Sequence, residues 1–370
     1  MTPDRAEQRG PQSPGRWEHR TSRPRLRGFT LIELVIAMAV SVTIVAGALG
    51  LYAQVHSTYR VNERIARLQE QGRFALSVIE PDIELAGYYG YTNVAEAIYF
   101  VHGASPDQPL ATAQALRQFP ARAGAPLPPS VSGLPSGAHT CGVNFAVDVM
   151  TPVQGSNDVF ALGRNATCKA YQSRPQPGAD TLTLRRVATE PGPPEAGRIQ
   201  IYASRFTSLT RQLMFADGNA PGAIDANHHV HDLVVRSYYI ARDSVGQKDF
   251  PALRVKTLTR SAGSVVFDDD EVMPGIEDLQ VQFGIDSRPG EQQAGRATRY
   301  VNPDFADLPR VQVVAVRVWL RVRSDEREAD FDDTKTYQYA NVSYTPSGAE
   351  RRYRRTLLAR TVTLRNARTS

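Results

Sequence analysis

Cysteine is nearly missing from this 370-residue chain. It has two, too few for a disulfide-stapled scaffold. The 27 Gly and 25 Pro fall short of a collagen-like chain, and 41% hydrophobic residues with 22% charged ones exclude a wholly disordered one. The length allows one large or two modest domains with real cores. Net charge is also scarce once the first segment is set apart. Residues 1–28 hold seven Arg (5, 9, 16, 20, 23, 25 and 27) against Asp4, Glu7 and Glu18; the remainder carries 36 basic and 35 acidic side chains. The body therefore gives no electrostatic case for nucleic acid. Catalytic signatures are missing too: there is no glycine-rich phosphate loop followed by Lys-Ser/Thr, no G-x-S-x-G and no H-E-x-x-H.

One long apolar run is present. Phe29 to Tyr52 contains a single ionisable group, Glu33. As a helix these residues span ~36 Å, enough to cross a ~30 Å hydrocarbon layer with some tilt. Arginine clusters before the run and not after it, which keeps the N-terminus cytoplasmic and exports the rest. Ala46-Gly47-Ala48 would fit a secretory cleavage site, but the apolar stretch is long for a disposable signal and continues to Tyr52. A lone carboxylate in a membrane helix costs on the order of 2.5–3.5 kcal/mol. No Lys or Arg lies within the run, so a cationic partner for Glu33 has to be another chain or a newly made amine.

The residues Arg27-Gly28-Phe29-Thr30-Leu31-Ile32-Glu33-Leu34 resemble the prepilin processing motif of type IV pilins and type II secretion pseudopilins. The resemblance implies that a membrane-embedded prepilin peptidase cuts after Gly28 and N-methylates Phe29, leaving Glu33 fifth in the mature chain. Cleavage creates a cationic amine at the edge of the helix. A neighbouring subunit's amine could then pair with Glu33 and set the register between subunits. The 28-residue leader is long for the family; it is either extended or begins at too early a start codon. Its first 20 residues, rich in Pro, Gly, Arg and Gln, read as disorder.

The helical pattern continues beyond the run. Val61, Ile65, Leu68, Gly72, Leu76 and Ile79 share one face, and Pro81 is the first break. Phe29 to Glu80 predicts a helix of ~78 Å if continuous, with Gly47, Gly50 and Gly72 as places to bend; two separate helices are the alternative. The expected division is a leader at 1–28, a membrane half-helix at 29–52, an amphipathic half at 53–80 and a globular domain at 81–370. Residues 102–137, with seven Pro and four Gly, read as a long surface insertion. Leu233–Ile240 and Ala252–Leu258 flank Gly246 as a hairpin; alternation marks further strands at 279–285, 314–322 and 361–364. Alternation implies one covered face and antiparallel pairing, with the helix stripe as the cover. The predicted class is α+β, a long N-terminal helix packed on an antiparallel sheet.

The blocks VRSYYIARD, PGIEDLQVQFGID, VVAVRVWLRVRS and RRYRRTLLARTVTLRNA, with the aromatic segment 82–91, resemble PilW-type minor pilins in order and spacing. That resemblance implies an inner-membrane, single-pass protein with a periplasmic domain that later joins a pilus fibre. Its partners would be the prepilin peptidase, other minor and major pilins and the assembly platform, serving twitching motility and adhesion. It implies neither enzymatic activity nor a cofactor. A J-type pseudopilin of type II secretion shares the N-terminal features, and a signal-anchored or secreted periplasmic enzyme is the more distant alternative.

Other candidate chemistry is thin. Cys141 and Cys168, in the exported part, read as a disulfide whose loop closure stabilises by about 3–4 kcal/mol; there is no second close pair to make a zinc site. His228, His229 and His231 could bind a transition metal but read more simply as a solvated loop. Asp268-Asp269-Asp270-Glu271 lacks the spacing of a calcium loop and reads as an acidic turn. Arginines 351, 352, 354, 355 and 360 alternate with strand residues as a solvated or subunit-facing sheet side.

Overall fold

A computed structural model describes residues 28–100, 141, 145–162, 168–206, 212–287 and 295–367. The insertion expected at 102–137 and the leader before Gly28 lie outside the described residues. The chain divides into two compact units, one ending at Arg60 and one running from Val61 to the C-terminus.

Helix α1 is a single element, Leu31–Glu84. Its start is set by Thr30. The Thr30 backbone N–H donates to Glu33 Oε2 at 2.9 Å, and the Glu33 N–H donates back to the Thr30 hydroxyl at 3.3 Å. This reciprocal capping box satisfies two donors that the first turn would otherwise leave unpaired. The helix does not break at Pro81 as expected from sequence. Asp82 and Ile83, the next two residues, are 2% and 0% exposed. Asp82 accepts from Arg186, Arg236 and Tyr238, and those contacts outweigh the one backbone bond that proline removes. The helix ends before Gly87, whose φ of +79° reverses the chain at low cost.

The second unit holds fourteen described strands. The larger sheet runs in the order β1 (Ile98–Phe100), β5 (Gln212–Asp217), β4 (Ala196–Ser204), β6 (His228–Ala241), β3 (Thr181–Val187), β2 (Val153–Ser156). Strand β7 (Ala252–Ser261) joins β6 and is flanked by β8 (Ser264–Pro274). A four-stranded sheet runs β10 (Arg299–Val301), β9 (Ile276–Asp286), β11 (Gln312–Arg323), β14 (Arg355–Thr363). Strands β12 (Tyr337–Tyr339) and β13 (Val342–Tyr344) form a hairpin. The strand pairs are antiparallel except β1 with β5. The fold is α+β.

Period-two alternation on β6 feeds two cores. Tyr238 and Ile240 enter the first, where Leu68, Ala75, Leu76, Ile79 and Ile83 of α1 meet Val281, Phe283, Val318 and Leu320. Each such side chain contributes about 1.5–3 kcal/mol on burial. Leu233 and Val235 enter the second, with Phe145, Val147, Ile201, Met214 and Phe267. The stripe expected along α1 stops short, since Ile65 is 38% exposed. Gly72, one of three places where the helix could bend, is a packing site: a Cβ there would stand 2.5 Å from Leu358 Cδ1 and 3.1 Å from Val322 Cγ2.

At its Arg321–Arg355 end the polar face of the small sheet is covered, where Tyr339 and Tyr344 of the β12–β13 hairpin meet Arg321. Glu277 binds Arg321 at 3.0 Å and Arg355 at 2.8 Å, and Arg355 is buried where an open arginine side was expected. Burial alone would raise the Glu277 carboxyl, but Arg355 and Arg321 hold it below its usual range. Asp278 beside it is pushed up by burial despite the Arg321 charge. Tyr344 receives the Arg321 guanidinium on its face at 3.7 Å. In the second core the fully buried Arg185 donates to the Phe145 and Thr151 carbonyls and to Gln154, holding the 145–154 segment in place.

Candidate functional site

The N-terminal motif presents an accessible backbone. Gly28 and Phe29 precede the helix and are exposed, Phe29 at 88%, and a Cβ at Gly28 would touch nothing within 4 Å. An uncovered peptide outside the helix is what a protease needs at a scissile bond. Four residues on, Glu33 is exposed and takes both Thr30 bonds on Oε2, the N–H at 2.9 Å and the hydroxyl at 3.0 Å. The T-x-x-E spacing that signals this capping box stands in the sequence as Thr30 and Glu33, and Thr30 is the residue that the sequence reading overlooked.

From Phe29 to Tyr59 every large apolar side chain is more than half exposed. Hydroxyls among them are turned inward on the backbone: Ser41 donates to the Ala37 carbonyl at 2.7 Å and Thr43 to Val40 at 2.8 Å. That arrangement suits a lipid solvent, in which every donor needs an internal partner. Among the described residues, α1 is the one helix long and apolar enough to cross a membrane.

Cys141 and Cys168 are joined as a disulfide, with Cα atoms 5.2 Å apart, inside the second core. The histidines are not in a loop. They open β6, so they alternate between its faces. His228 stacks on Tyr202 with ring centroids 5.6 Å apart and pairs with Asp225 at 2.8 Å. His229 and His231 share the other face, their centroids 6.1 Å apart, with Tyr91 3.0 Å from His229 Nδ1. Burial pushes the His231 ring below its usual range, against its bond to the Ala188 carbonyl. The acidic run is likewise a strand, β8, where Asp269 binds Arg254 at 2.9 Å and Lys256 at 2.9 Å; cross-strand pairing accounts for what looked like a turn. Among the described residues no group of three or more His, Cys, Asp or Glu is gathered as a metal site.

A processing motif on an exposed apolar helix, followed by a helix-covered sheet domain, defines a type IV pilin-like protein. Comparison with known families agrees. Residues 23–49 match the prokaryotic N-terminal methylation motif, and residues 237–366 match type IV pilus-assembly protein W. Within the class the chain is PilW-like. Pilin-like protein PilA3 of Thermus thermophilus is 33% identical over 61 residues, which are 16% of this chain. The chain spans about a quarter of that relative's length, 26%. A solved type IV-like pilin from Thermus thermophilus shares 16% identity over 51% of this chain and 79% of its own, with a TM-score of 0.23. The N-terminal motif and the apolar helix make the protein membrane-anchored.

Proposed function

We propose that this protein is a minor pilin of the type IV pilus. It inserts with its N-terminus in the cytoplasm and its sheet domain in the periplasm, is cut after Gly28 and methylated on Phe29 by the prepilin peptidase, and then joins other pilins at the assembly platform. The observation that carries the reading is the coincidence, on one chain, of the methylation motif at 23–49 and the PilW match at 237–366. In a filament the exposed apolar face from Phe29 to Tyr59 is covered by neighbouring helices, and Glu33 receives the amine that cleavage creates on an adjacent subunit. Both Thr30 bonds fall on Oε2, so Oε1 can accept that amine without dismantling the cap. In low dielectric the pair offsets the cost of burying either charge alone. Its role is structural, without catalysis of its own.

The test is a deletion strain complemented with wild type or Glu33→Ala. Wild type restores surface pili and twitching; Glu33→Ala, inserted and processed normally, restores far less. Intact piliation in the deletion strain with lost protein secretion would move the assignment to a pseudopilin. Full function of Glu33→Ala would remove Glu33 from assembly.

A further inference from the structure

We propose that His229 and His231 form a chelating pair for a borderline divalent transition ion such as Zn²⁺, independent of the assembly role above. Residues i and i+2 of a strand project to the same face, and on β6 these two rings already stand 6.1 Å apart, centroid to centroid. Two imidazoles sharing one tetrahedral ion at Zn–N distances of about 2.0–2.1 Å have centroids about 5 Å apart, so a small rotation of the more exposed ring closes the gap.

The surroundings favour nitrogen ligation. The Ala188 carbonyl lies 2.9 Å from His231 Nδ1 and can only accept, so Nδ1 carries the proton and Nε2 presents its lone pair. That second bond is the one metal-binding histidines use to fix ring and tautomer. His229 has the same option: with Nδ1–H donating to the Tyr91 phenol oxygen at 3.0 Å, its Nε2 is the ligand atom. Gly90 lies against the same ring as that carbonyl, His231: a Cβ there would stand 3.5 Å from His231 Cδ2 and 3.7 Å from its Nε2. With no third protein ligand gathered beside the two rings among the described residues, water fills the remaining positions. Thiols do not compete, because both cysteines are in the disulfide.

The experiment is calorimetric titration of ZnCl₂ into the full-length, detergent-solubilised protein, purified without a histidine tag and stripped with EDTA. Wild type should bind one ion in the micromolar range. His229→Ala, at a half-buried position, should weaken this at least tenfold, as should His231→Gln. His228→Ala, on the opposite face of the same strand, should bind as wild type does. Cu²⁺ bound to wild type should show splitting from two nitrogens by electron paramagnetic resonance. The proposal is overturned if wild type binds no Zn²⁺ at millimolar concentration. It also fails if binding survives both His229→Ala and His231→Gln, or if His228→Ala weakens it as much as His229→Ala does.

Discussion

The Tyr238 hydroxyl donates to Asp82 Oδ2 at 2.6 Å, joining the last turn of α1 to β6. Arg236 reaches the same oxygen at 3.0 Å and Arg186 the other at 2.9 Å, so a carboxylate only 2% exposed has its charge fully answered. Removing it takes the shared acceptor from two partly exposed guanidinium groups and a buried phenol, leaving Arg186 its bond to the Val187 carbonyl and Tyr238 a longer one to Val78. Asp82→Ala should therefore cost about 2–3 kcal/mol, less than a fully buried pair broken from one side because the arginines left behind reach solvent. Urea unfolding followed by Trp319 fluorescence measures this, and a loss below about 1 kcal/mol would contradict it.

Asp180 supplies a pH dependence. Burial pushes its carboxyl up to about 7, with the Asp158 and Asp278 charges adding to the rise and backbone N–H bonds from Asp158 and Val281 opposing it. An unfolded aspartate releases its proton near 3.9, as ~3.9 is the unperturbed value. Between these two values the folded state binds the extra proton, so stability falls as pH climbs from about 4 to about 7, by up to about 4 kcal/mol, and levels above. Asp180→Asn should flatten that part of the profile in urea midpoints taken at successive pH values. An unchanged slope would place the proton elsewhere.

Gly72 should tolerate little bulk. Its backbone faces Leu358 of β14 and Val322 of β11 with no room for a Cβ. Gly72→Val drives branched carbons into that contact and should destabilise by about 1–3 kcal/mol despite valine's better helix propensity. A rise in Tm for the variant would show that the gap can yield.

Of the strands that sequence patterning located, those around 279–285 and 314–322 alternate apolar with other residues, and those around 233–240 and 252–258 are β-branched and aromatic runs flanking the Gly246 loop. Strands β3, β4 and β5 escaped although Thr181–Leu184 and Arg198–Ile201 alternate polar with apolar residues; the stretches are short, and Thr183, Arg185 and Gln200 are as buried as their apolar neighbours. The acidic run at 268–271 and the histidines at 228–231 were misplaced for a related reason. Polar residues read as loop until a partner strand supplies Arg254, Lys256 or Tyr202. Pro81 misled because the contacts of Asp82, which lie 104 to 156 residues away in sequence, have no local signal. The N-terminal motif was legible in full, Thr30 apart, since its chemistry is contiguous.

Intact-mass and N-terminal analysis of the protein isolated from its own membranes tests the account where it is most exposed. A mature chain beginning at Phe29 and carrying one added methyl group is the expected result. A chain beginning at Met1, or one starting just after Ala48, would contradict processing at Gly28 and with it the assembly role given to Glu33.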